Sequence, residues 1–192
     1  MEPVIRNIKL SFKVKKNQLQ SLKKTLERLL VRSPTLFIQK QNFVLCKLSV
    51  SFSIFITSGH INATGIKRFE DINRCFQLFH SMFKVSRKNT FKFQVDNITA
   101  SGNWGEKIKL DKLKQIINSE KNADVLVSFD SNRFPGAFIK FKNMGTLSIF
   151  KSGKYNIVGA KNHTQIDNIF QLTWKILQNH QSQLFWKEHF PN

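Results

Sequence analysis

Acidic residues are scarce in this chain: 12 Asp and Glu stand against 31 Lys and Arg, for a formal net charge of +19 in 192 residues. So few carboxylates, most of them beside lysines, leave no pair placed for general acid and base work, and no enzyme is expected. A field of that sign serves polyanions, nucleic acid first and anionic membrane second. Only two cysteines occur, Cys46 in a strand-like run and Cys75 in a helix-like one. They make neither a disulfide framework nor a zinc pattern, and they suit a reducing compartment. His60, His80, His163, His180 and His189 are scattered, none with a second ligand at metal-binding spacing, so no metal or other cofactor is expected. No run approaches the roughly 18 apolar residues of a membrane span. The first residues, MEPVIRNIKL, carry neither an apolar h-region nor an Arg- and Ser-rich leader, so no membrane partner, secretion or organelle import is expected.

What is present is periodicity. A hydrophobic content of 41% can bury a core. Residues 3 to 14 read as a strand, and Lys16 to Val31 as a helix with Leu19, Leu22, Leu26, Leu29 and Leu30 on one side. Ser33-Pro34 stops that helix, because proline disfavours helical backbone in the residue before it. Leu36 to Ile66 is strand-like with a turn at Ser58-Gly59-His60, and residues 68 to 85 return to helical spacing through Phe69, Ile72, Phe76, Phe79 and Phe83.

The same order recurs as a strand from Phe91 to Thr99, a helix near Leu110 to Ile117, strands from Val125 to Gly159 and a helix from Thr164 to His180. At a shift of 94, Ser58-Gly59 falls on Ser152-Gly153, Asn62 on Asn156, Gly65 on Gly159 and Lys67 on Lys161. Upstream the shift is 90, Asn7-Ile8 falling on Asn97-Ile98. One domain of two half-domains is the economical reading: a first repeat over 1–88, a second over 89–180, and an extension, 181–192, whose Leu184, Phe185, Trp186 and Phe190 are expected to pack back on the body. The charge is uneven, with 17 Lys and Arg against 4 acids in residues 1–88 (+13) and 14 against 8 in residues 89–192 (+6).

The run from Arg133 to Lys161 is the most informative. Alternating apolar segments, separated by Asn143-Met144-Gly145 and Ser152-Gly153, read as a three-stranded meander. Ser152-Gly153-Lys154 lacks the glycine-rich lead-in of a phosphate loop and reads as a hairpin turn. Leu147, Ile149, Tyr155 and Ile157 share one face, while Ser148, Phe150, Asn156 and Val158 share the other. Apolar groups on both faces require a partner for the second.

Phe134-Pro135-Gly136, a strand ending at Lys140, then Ile149-Phe150-Lys151-Ser152-Gly153-Lys154 and Val158-Gly159-Ala160-Lys161 resemble the second-repeat strands of the TATA-box-binding protein family. The resemblance implies an α+β fold: a two-repeat saddle in which one curved antiparallel sheet carries helices on its convex face. It implies a non-enzymatic factor that binds and bends the minor groove of AT-rich double-stranded DNA and nucleates a preinitiation complex with general transcription factors and the RNA polymerase machinery. The location implied is the nucleus, or the site of transcription of a virus. Phe134 and Phe150 match the family's wedge pair, which unstacks a base step, and Asn7 and Asn97 match its central asparagines, which donate to acceptors on the groove floor. Thr64 matches a groove contact whose partner position is Val158. Ser58, Ser152, Lys47, Lys140, His60 and Lys154 match or approximate the rim that meets the DNA backbone.

The chain also departs from that pattern. Counting back from Gly59, Ile56 stands for Phe150, with Phe55 one residue away on the opposite face, and the other first-repeat wedge is either Phe37 or Phe43. Unequal kinks, sharper at the second repeat, are therefore expected. Lys9, Thr99, Asn62 and Asn156 stand where the family has valines, so the saddle floor is more polar. Ser131-Asn132-Arg133 lacks the acidic residues through which the family meets transcription factor IIB. Two competing readings stay open: a saddle that has lost TATA-specific DNA binding and engages a protein, and a substrate-binding domain serving a separate enzyme subunit.

Overall fold

A computed structural model describes residues 2–86, 88, 92–120 and 122–186. The chain forms two compact units, Arg6–Asn97, and Ile98–Asn192 together with Met1–Ile5. The first expected strand of the second repeat begins at Phe91, which lies outside the described residues, as does Phe190 of the extension.

The first unit runs β1 (Val4–Lys13), α1 (Lys16–Arg32), β2 (Phe37–Gln39), β3 (Val44–Lys47), β4 (Ser51–Phe55), β5 (His60–Ile66) and α2 (Asp71–Phe83). Its strands lie antiparallel in the order β2-β3-β4-β5-β1. Alternation decides which face is buried. Leu10, Phe52, Ile54, Ile61 and Ala63 are wholly enclosed, while Ser51, Ser53 and Asn62, at the intervening positions, are half-open. Ile72, Cys75, Phe79 and Phe83 recur at helical spacing along α2 and bury against the apolar face. The core is a ring cluster in which Phe79 stands 5.0 Å from Phe12, 5.5 Å from Phe52 and 4.8 Å from Phe83. Each such buried ring contributes about 1.5–3 kcal/mol.

The strand β6 (Gln94–Asn103) begins in the first unit and enters the second at Ile98, and the second repeats the plan with α3 (Leu110–Ser119), β7 (Val125–Ser128), β8 (Gly136–Phe141), β9 (Gly145–Phe150), β10 (Lys154–Ala160), α4 (His163–Asn179) and α5 (Gln181–Leu184). The order is β6-β10-β9-β8-β7, again antiparallel. Asn162 starts α4: its Oδ1 accepts the Gln165 N–H at 2.9 Å, and Gln165 Oε1 reaches back to the Lys161 N–H at 2.7 Å. Under the sheet, Trp104 stacks on Phe170 (4.8 Å, 9°), Trp174 (5.3 Å, 6°) and Tyr155 (4.6 Å, 30°).

The extension packs back on this unit as far as it is described. Leu184 is fully buried, its carbonyl accepts the Lys109 N–H at 2.9 Å, and the Trp186 N–H donates to the Lys107 carbonyl at 3.2 Å. In both units the strand after the hairpin breaks register at a glycine of positive φ, Gly65 (+96°) beside β1 and Gly159 (+92°) beside β6. Glycine alone enters that region without strain.

Candidate nucleic-acid interface

Among the described residues no helix of either unit covers the second face of its strands, and the pairing register places side chains there in rows. In the first unit one row is Lys47, Ser51 and Thr64; the next is Leu45, Ser53, Asn62 and Ser11; the last brings Phe55 to His60 and Lys13. Phe43, one residue before β3, completes that last row with its ring 5.2 Å from Phe55. Asn7 stands at the bulge, where its Oδ1 accepts the Gly65 N–H at 2.7 Å. That bond fixes the amide and leaves Nδ2 as the donor it presents. Asn62 is fixed similarly, with Oδ1 3.1 Å from His60 Nε2.

The second unit lays out the same rows: Lys140, Thr146 and Val158; then Phe138, Ser148, Asn156 and Ser101; then Gly136 and Phe150, with Lys154 across from Asn103. Phe134 precedes β8 and folds over Gly136, so that a Cβ on that glycine would stand 3.0 Å from both Phe134 and Phe150. The Phe134 ring lies 4.8 Å from Phe138 and 5.7 Å from Phe150. Phe43 occupies in the first unit the space that Phe134 reaches in the second. Phe138 and Val158, both 38% exposed, extend the apolar patch. Asn97 and Thr99 sit on β6 at the positions alternate to buried Ile98 and Ala100.

Comparison with known proteins places this plan. Residues 92–180 match the family described as transcription factor TFIID (or TATA-binding protein, TBP). A TATA-box-binding protein of Tetrahymena thermophila is 31% identical over 132 residues, 67% of this chain and 51% of that protein. Another, from Thermoplasma volcanium, is 25% identical over 129 residues, 65% of this chain and 67% of that protein. Among solved structures, Methanococcus jannaschii TBP matches with a TM-score of 0.66 over 93% of this chain and 99% of that one, at 20% identity. Together the family match over the second repeat, the named relatives and the fold support a divergent member of the TBP family. The chain has the two-repeat TBP fold, α+β with antiparallel pairing throughout, and it spans about half the length of the Tetrahymena relative.

Three site expectations change against the TBP plan. Phe37 is 3% exposed, its ring 6.4 Å from Phe83 on α2, so it belongs to the core: in β2 its alternation points to the helices. Ile56 lies in the turn after β4, not on the open face. The first hairpin carries one residue more than the second, its Gly59 N–H bonding back four residues to Phe55 where the Gly153 N–H bonds back three to Phe150. Phe55 therefore stands where Ile56 was expected, and Phe43 is its partner. The signal was in the sequence, since Ser51, Ser53 and Phe55 alternate with Phe52 and Ile54.

The remaining positions are placed as follows. Thr64, Asn62, Lys47, Asn156, Val158, Lys140, Phe134 and Phe150 stand on the rows described. Ser58 and Ser152 are exposed in the turns, and Lys154 is exposed at the start of β10. The Ser58 hydroxyl accepts the His60 N–H at 3.2 Å.

Burial pushes the Cys46 thiol up to about 11 and the Cys75 thiol to about 12, so neither is a thiolate at neutral pH. Among the described residues no group of three or more His, Cys, Asp and Glu could hold a metal ion, and no helix is long and apolar enough to cross a membrane.

Proposed function

We propose that the chain binds the minor groove of AT-rich duplex DNA through the open faces of its two repeats, bends it, and serves as a platform for general transcription factors and RNA polymerase in the nucleus. Its relatives named as TATA-box-binding proteins are consistent with this. The observation that carries the reading is the ring pair at one end of each open face, Phe43 with Phe55 and Phe134 with Phe150. Apolar wedges of this kind enter between base steps from the minor groove and kink the duplex. TBP itself is the established example of such a kink, of about 80°. Amide donors such as Asn7 suit a groove floor whose A·T pairs offer only acceptors. The lysines at the ends of the rows meet phosphates.

A gel-mobility titration on AT-rich and GC-rich duplexes at two salt concentrations tests this. Affinity is expected to fall with salt on a log-log slope of several, as counterions are released. Asn7→Asp with Asn97→Asp is expected to cost more than Lys23→Ala with Lys24→Ala on α1, because it removes donors and sets charge over acceptors. Salt-independent binding, or equal losses, would reject the reading. The polar floor of Lys9, Asn62 and Asn156 favours a second reading, a protein-binding saddle; it prevails if no duplex is bound at low salt.

A further inference from the structure

We propose that the chain reads a guanine amino group in the minor groove and that Asp96 is the residue that reads it. This rests on the duplex-binding reading above and specifies its sequence preference.

On β1, Ile8, Leu10 and Phe12 are buried on the apolar face; Asn7 and Lys9, at alternate positions, are half-open, and Ser11, at the next, is only 9% exposed. Asp96, near the start of β6, has the parity of buried Ile98 and Ala100, yet its carboxylate meets Ser11 and Lys9 of β1. The Ser11 hydroxyl donates to Asp96 Oδ1 at 2.8 Å, and Lys9 Nζ lies 3.7 Å from Asp96 Oδ2. The two charged side chains, Asp96 and Lys9, keep 24% and 39% of their surface open, so both are reachable. Ser11 also ends the row Ser53, Asn62, Ser11, and Asp96 extends that row by one polar group.

The chemistry of the groove floor makes this arrangement selective. A·T and T·A pairs present only acceptors there, whereas G·C adds one donor, the guanine N2 amine. Asn7 and Lys9 are donors and suit A·T. An ionised carboxylate is an acceptor only; over an A·T floor it faces lone pairs, and over guanine it faces its complement. Oδ2 has capacity for that contact, since 3.7 Å from Lys9 Nζ exceeds hydrogen-bond length. Lys9 beside it offsets the carboxylate's repulsion by the phosphates. A carboxylate serving only as counterion to Lys9 would need charge but no access to the groove, so the two roles separate by experiment.

The full chain is titrated with AT-rich duplexes, each carrying one G·C pair at successive positions, and with matched duplexes in which inosine replaces that guanine. Inosine lacks only the N2 amine. At one position the G·C duplex is expected to bind about tenfold more tightly than its inosine counterpart, the size of a typical single-pair discrimination. Asp96→Ala should bring that ratio to about one. Asp96→Asn, which keeps the shape and one acceptor, should leave it above one. Inosine binding as well as guanine at every position, or a ratio that survives Asp96→Ala, overturns the proposal while leaving duplex binding intact. Failure to bind any duplex overturns the duplex reading and this one with it.

Discussion

Replacing Phe43 and Phe55 by alanine is expected to impair DNA bending as much as replacing Phe134 and Phe150. A Phe side chain carries about 150–250 Å² of surface, and a ring of intermediate burial such as these retains about a quarter of it, roughly 50 Å², to cover on insertion. At about 25 cal/mol/Å² that is about 1.2 kcal/mol per ring and about 2.5 kcal/mol per pair. Unstacking one base step costs a few kcal/mol, so a pair nearly offsets one step and a single ring does not. Each double variant should therefore lose roughly 30- to 150-fold in affinity, the equivalent of about 2–3 kcal/mol. The kink it supports should be lost too. Energy transfer across a doubly labelled duplex reads the end-to-end distance. Ile56→Ala should change it little, because that residue lies in the turn. A bend undiminished in either double variant, or one that depends on Phe134 and Phe150 alone, would refute the assignment of one ring pair to each repeat.

Other consequences concern the fold. Tyr155 is the chain's single tyrosine, and burial, followed by the nearby Glu2 charge, raises its phenol from 10.0 to about 12. Because the folded value lies above the unfolded one, its contribution to stability is full below pH 10 and is lost as pH rises towards 12. Phenolate absorbance should appear near pH 12 in the folded protein and near 10 in denaturant; coincident titrations would contradict its burial. Cys46 and Cys75 should resist a disulfide reagent at neutral pH until the chain is unfolded, and rapid labelling would contradict their enclosure. Leu184→Ala should destabilise the second unit by about 2–4 kcal/mol in denaturant titration, since it empties a fully buried site. A loss well under that would detach the extension from the core.

Periodicity made most of the architecture legible. The leucine spacing of α1, the phenylalanine spacing of α2 and the alternation through β8, β9 and β10 each have one strong apolar face, and the observed elements end within a few residues of the expected ones. Two features were not legible from the glycine count. The one-residue difference between the hairpins shifts Ile56 off the open face, because a turn absorbs an added residue without disturbing the alternation of the strands it joins. Phe37 looked like a wedge by its spacing from Pro34, but in a three-residue strand the face is set by pairing with Cys46, which is itself buried. Asp96 carried no motif at all. Its meeting with Ser11 comes from residues 85 apart in sequence, which only the folded chain brings together.

The central claim is that the open faces deform the DNA they hold, and binding and bending recorded in one titration test it most directly. A doubly labelled AT-rich duplex is titrated with the full chain while anisotropy reports occupancy and energy transfer reports end-to-end distance. The two signals are expected to rise together and saturate at the same protein concentration, the distance shortening as the kinks form. Saturating occupancy with an unchanged distance would contradict it.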